Sequence, residues 1–219
     1  MAQRLIVEGN DAIVLSNLCK KKGLNPPKGY ENPEKFKSEF VISGGSYNRA
    51  MDAFELALQN SDVDNIGLII DANDQGYEAR WNAIKHILLK NKLSNEDLEE
   101  LDQQRGPKLL KKQGFPTVGI WIMPDNSDIG YLEHFVAKLI KLEDPLLHYV
   151  EQILEDLKKQ PFNELTQIRI GKAKIHTWLA WKDEPGKPFG TAVEIGYFDI
   201  NAPIANEFVH WFQEVFDLS

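Results

Sequence analysis

Short apolar runs alternate along this chain with longer stretches in which apolar residues return every three or four positions. The runs at 4–8 (RLIVE), 39–43 (EFVIS), 66–71 (IGLIID) and 117–123 (TVGIWIM) predict strands. The third is apolar on both faces, as a central parallel strand should be. Helical spacing predicts helices over 11–22, 47–59, 75–90 and about 129–140. Gly23 closes the first of these, and Ser94-Asn95-Glu96-Asp97 resembles a helix cap opening a polar, acidic segment. Three prolines and several charges make 24–37 a surface loop.

The pattern changes at residue 143. Leu146, Leu147, Val150, Ile153, Leu154 and Leu157 form one helical stripe, and residues 203–216 form another through Phe208, Val209, Phe212, Val215 and Phe216. Between them, 166–181 is read as helix, while 190–198 fits no single element. The fold class is therefore α/β, with about four parallel strands, helices on both faces and a helical C-terminal extension. The division is 1–142 for the α/β part and 143–219 for the helical region, which can pack as one domain.

Composition narrows the chemistry. The 219 residues carry 33 acids against 25 bases, a formal charge of −8, which argues against coating nucleic acid by bulk charge. It does not exclude a nuclease, whose metal site itself needs carboxylates. Cys19 is the only cysteine, so an internal disulfide and a cysteine zinc site are excluded, and it reads as a small buried hydrophobe. The N-terminus turns polar too early for a signal peptide, and no apolar run reaches the roughly 20 residues of a membrane span. A cytoplasmic protein is expected.

Ligands of parallel α/β sheets sit beyond the carboxyl ends of the strands. Here those ends carry acids and asparagines: Glu8 and Asp11 after the first strand, Asp71, Asn73 and Asp74 after the third, Asp125, Asn126, Asp128 and Glu133 after the fourth. Single acids in such places often only cap a helix. Convergence from three strands points further, because crowded carboxylates repel unless a cation sits among them. Oxygen-only ligands suit Mg²⁺ or Mn²⁺, so a metal site that handles phosphate is expected. Gly44-Gly45, after the second strand, could cradle a phosphate or simply permit a tight turn. Gly-Lys-Ser/Thr is absent there, which excludes P-loop binding of ATP.

Val7-Glu8-Gly9, with an acid-x-acid-like element after a later apolar strand, resembles a Toprim domain, the fold shared by topoisomerases, primases, recombination-repair proteins and the overcoming-lysogenization-defect (OLD) nucleases. Glu8-Gly9-Asn10-Asp11 is similar to the OLD-type form, in which a second acid follows the first glutamate. Met123-Pro124-Asp125-Asn126, Gly130-x-Leu132-Glu133, Lys174, Trp178-Leu179-Ala180-Trp181, Glu184-Pro185-Gly186, Gly190 and Phe208-x-x-Trp211 resemble an uncharacterised bacterial and archaeal family of small Toprim-like proteins, over nearly the whole chain. One departure stands out: the typical Asp-x-Asp is here Asp71-Ala72-Asn73.

The resemblance implies metal-dependent phosphodiester hydrolysis. Glu8 would be a metal ligand or general acid/base and Asp71 the central ligand, with Asp11, Asn73, Asp125 and Glu133 completing the metal shells. Lys174 is the cation of the family pattern, and Lys172 and Lys182 are further candidates to hold a nucleic-acid backbone, beside Trp178 and Trp181. Arg49, Arg80 and Lys187 extend that set, whereas the five histidines show no metal-ligand spacing. Relatives of this type resemble effectors of phage defence that work beside an ATPase, so a separate ATPase subunit is an expected partner, and a homo-oligomer is a further expectation. The alternatives are a non-catalytic module that binds a partner or a nucleotide, and a small-molecule phosphoesterase.

Overall fold

The structure is a computed structural model describing residues 2–9, 11–25 and 40–218, and from residue 26 on the expected 24–37 loop lies outside them. Its centre is a five-stranded sheet of order β2-β1-β3-β5-β4, formed by β1 (Ala2–Val7), β2 (Val41–Ser43), β3 (Val63–Asp71), β4 (Lys108–Leu110) and β5 (Thr117–Met123). The four expected strands run parallel. The fifth, β4, is antiparallel to β5 at the edge. Three residues between Gly106-Pro107 and Lys111-Lys112 are too short to show alternation, which is why the sequence pattern misses it.

Alternation along the strands assigns the two faces. Leu5, Val7, Ile69, Trp121 and Met123 enter one core, and Ile6, Leu68, Ile70, Ile120 and Ile122 the other. The second core is closed by α2 (Tyr47–Gln59), α3 (Gly76–Lys90) and α4 (Asn95–Gln103), the last opened by the expected Ser94 cap with Asp97 as its reciprocal partner. The first is closed by α1 (Asp11–Lys21), α5 (Leu132–Ala137), α6 (Pro145–Lys158), α7 (Gln167–Ala180), α8 (Phe189–Glu194) and α9 (Pro203–Phe216). The undecided 190–198 stretch thus holds a short helix, and the helix expected over 129–140 is confined to Leu132–Ala137.

The C-terminal helix lies directly on the sheet. Gly67 and Gly119 are paired across β3 and β5, and a Cβ on either would meet Phe216 Cζ at 2.8 Å or Val215 Cγ2 at 2.1 Å. Two adjacent glycines thus make the flat notch on which α9 rests. Its last carbonyls, which no helical N–H can reach, accept from Asn65 Nδ2 (2.5 Å, at Val215) and Gln3 Nε2 (3.0 Å, at Phe216). Cys19 is fully buried, and burial pushes its thiol up. Among the described residues, no helix is long and apolar enough to cross a membrane.

Candidate functional site at the carboxyl ends of the strands

Register brings the strand ends level: Val7 lies opposite Ile69 and Ser43, and Asp71 opposite Met123. Glu8 continues the ladder, its N–H donating to Ile69 O at 3.2 Å. Its side chain turns toward the next strand, where Oε2 accepts the Asp71 N–H at 3.2 Å. One hydrogen bond plus the length of an aspartate side chain keeps the two carboxylates within roughly 8 Å. Asp71 Oδ1 accepts the N–H of Leu132, first residue of α5, and its carbonyl accepts from Arg80 Nε at 3.1 Å. The Arg80 guanidinium lies 3.9 Å over the Tyr47 ring, which ties α3 to α2 at this edge.

Asn73 sits in the left-handed region at φ 55°, and its backbone exchanges hydrogen bonds with Gly130 at 2.8 and 3.0 Å. Asparagine tolerates that conformation better than most residues, so the departure from Asp-x-Asp coincides with a backbone need. The bridge pins the turn after β3 to the turn before α5. Tyr131 follows directly. Burial raises its phenol's pKa, and the charges of Asp74, Asp71 and Glu133 raise it further, so these acids share its surroundings. Tyr131 was not legible as a site residue; its one signal is its place inside the acidic turn at 125–133.

The other expected ligands have their own partners. Asp125 Oδ1 accepts from Ser127 N, Ser127 Oγ and Asp128 N, and its Oδ2 lies 2.6 Å from Lys138 Nζ. Burial opposes ionisation, but Lys138 and the Ser127 donors hold this carboxyl below the usual range. Glu133 pairs with Lys172 at 2.6 Å. Asp11 opens α1, three residues beyond Glu8, and its side chain lies outside the described part. Among the described residues, no group of three or more His, Cys, Asp or Glu side chains is arranged to hold a metal ion.

Lys172 and Lys174 are two positions apart on α7, about 200° around a helix, so they face opposite ways. Lys172 meets Glu133 beside Tyr131, whereas Lys174 meets Glu151 of α6 at 3.2 Å. Lys182 is held 3.5 Å from Asp144, the N-cap of α6, and 3.8 Å over the buried Trp178. Trp181, by contrast, is 43% exposed. Gly44 is required sterically, since a Cβ there would meet Ala50 N at 2.6 Å, and Gly45 has φ +70°. Ser43 Oγ donates to Gly9 O at 3.1 Å and joins the turns after β1 and β2.

His134 shapes the flank of this edge. Its Nδ1 accepts the Tyr131 N–H at 3.2 Å, and a Cβ at Gly171 of α7 would lie 2.1 Å from its Nε2. Burial lowers the imidazole's pKa, Lys174 and Lys138 add to that, and Glu133 and Asp128 oppose it. The unfolded chain therefore takes up this proton more readily. Stability from His134 is full above the ordinary histidine range near pH ~6.5 and is lost as pH falls below it. Urea unfolding at falling pH should show this decline, and His134→Asn, which does not titrate, should reduce it. An equal decline in the variant would contradict this assignment.

Comparison with known proteins adds one relationship. A family model described as "Protein of unknown function (DUF3226)" matches residues 2–217. No curated protein and no solved structure matches the chain.

Proposed function

The chain belongs to the DUF3226 family, and we propose that it is a Toprim-like, divalent-metal-dependent nuclease. The observation that carries the proposal is the Glu8–Asp71 contact, which holds two carboxylates from adjacent parallel strands at one sheet edge. Mg²⁺ is commonly held by one or two carboxylates together with water and substrate phosphate, so these residues fit it without a complete protein cage. Glu8 and Asp71 would hold the ion, with the Asn73 amide oxygen and Asp11 as further donors. Bound there, Mg²⁺ or Mn²⁺ supplies Lewis-acid polarisation of a phosphodiester and a more acidic water.

The chain's own groups supply the rest. Arg80 brings positive charge to the Asp71 carbonyl and is braced by Tyr47, where a phosphate oxygen of the substrate would meet it. As the alternative to holding the ion, Glu8 would take a proton from an attacking water. Lys172 is the α7 cation paired with Glu133 of the acidic turn, while Lys174 pairs with Glu151. Asp125 acts by holding the turn that carries Asn126 and Asp128.

Lacking a P-loop motif within these residues, the chain would work as an effector beside a separate ATPase, in defence against phage. Asn73, which replaces a charged ligand, favours the second reading, a Toprim-like module that binds a partner or nucleotide without cleaving. Cleavage of single- and double-stranded DNA and RNA with Mg²⁺ or Mn²⁺ separates the two, with Glu8→Gln and Asp71→Asn as controls. Metal-dependent cleavage lost in both variants supports the nuclease. Background cleavage that is unchanged in both variants defeats it.

A further inference from the structure

We propose that a second site, on the β4 side of the sheet, binds a phosphate group through Lys108, Arg105 and Asn126. It is a cleft of about 520 Å³ between α3, the segment leading into β4 and the turn after β5. None of the acids assigned to the strand-end site lines it. Its volume falls in the range of small-molecule sites and exceeds what a bare phosphate needs, so it has room for a nucleoside phosphate.

Three donors carry the inference. Lys108 is 5% exposed, yet no carboxylate among the described residues lies within ion-pair distance of its ammonium. Its Nζ donates to the Gln104 carbonyl and lies 5.6 Å over the Trp81 ring, which leaves further N–H groups to satisfy. An ammonium buried on those terms is costly unless an anion accompanies it. Burial lowers its pKa, Lys85 adds to that, and the more distant Asp102 and Glu78 carboxylates oppose it without cancelling it. Arg105, on the same cleft, has no hydrogen-bond or ion-pair partner among the described residues.

Asn126 is the third donor. Its Oδ1 accepts the Ile122 N–H at 2.7 Å, which fixes the orientation of the amide. The Nδ2 is buried and has no acceptor among the described residues. The remaining charges do not cancel this set. Lys85 pairs with Asp102 at 3.1 Å, and Asp102 and Glu78 also attract Lys108 from beyond ion-pair distance, so two carboxylates face Lys85, Arg105 and Lys108 in the lining. Phosphate matches the donors: several acceptor oxygens, a guanidinium fork and a compact ammonium. The same chemistry is offered by a free nucleotide and by the phosphates of a nucleic-acid strand.

Calorimetry in EDTA, which silences any metal at the strand-end site, tests this with AMP, a 5′-phosphorylated oligothymidine and adenosine as probes. Wild type should bind a phosphate-bearing probe but not adenosine. Lys108→Met and Arg105→Ala should each weaken that binding about tenfold or more, whereas Lys159→Met, at the exposed C-cap of α6, should not. Binding of AMP assigns the site to free nucleotides, and binding of the oligonucleotide alone assigns it to a strand. Arg105 is exposed, so its variant should fold even if Lys108→Met does not. No binding of either phosphate probe by wild type, or equal binding in the Arg105 variant, overturns the proposal.

Discussion

Asp71→Asn and Glu8→Gln are each expected to lower metal-dependent cleavage by about 100-fold or more, since a metal's charge stabilisation is worth several kcal/mol. Both substitutions are close to isosteric. Asn at 71 retains an Oδ1 that can accept the Leu132 N–H, and Gln at 8 retains an oxygen for the Asp71 N–H. These two hydrogen bonds can therefore survive while the charge is removed. Thermal unfolding of both variants should stay near wild type while activity collapses. A parallel loss of stability would mean that the two acids serve the turn rather than a metal.

Phe208→Ala is expected to cost about 3–5 kcal/mol, which lowers Tm by roughly 6–20 °C in a chain of this length. Phe208 is fully buried on α9 and meets Trp121 edge-on at 5.1 Å, Phe135 at 5.9 Å and Trp211 at 5.5 Å. One truncation thus opens a cavity where β5, α5 and α9 meet. His210→Ala, exposed on the same helix, should stay within about 0.5 kcal/mol. Chemical denaturation compares the two. A cost below about 1 kcal/mol for Phe208→Ala would show that α9 is not part of the cooperative core.

The parallel sheet was legible because its strands lie in apolar runs bounded by turn residues, and α2, β5 and α9 fall where the pattern puts them. What the pattern could not show is contact. Gly67 and Gly119 look like weak points in two strands until α9 is laid across them. Lys172 and Lys174 look equivalent until α7 is built and sends them to different neighbours. Asp125 and Glu133 read as ligands beside Asp71, yet each finds a lysine from another part of the fold. That Glu8 and Asp71 come together follows from strand-end logic alone, because parallel neighbours finish at the same edge. The net charge of −8 hid the cationic cleft at Lys108, whose charges are local and partly buried.

The most direct test is Mn²⁺ binding to the intact protein, followed by electron paramagnetic resonance or calorimetry, in wild type, Glu8→Gln and Asp71→Asn. At least one Mn²⁺ should bind to wild type, and each substitution should weaken that binding about tenfold or more. Absence of binding to wild type, or equal binding in both variants, would contradict a metal site at the Glu8–Asp71 edge.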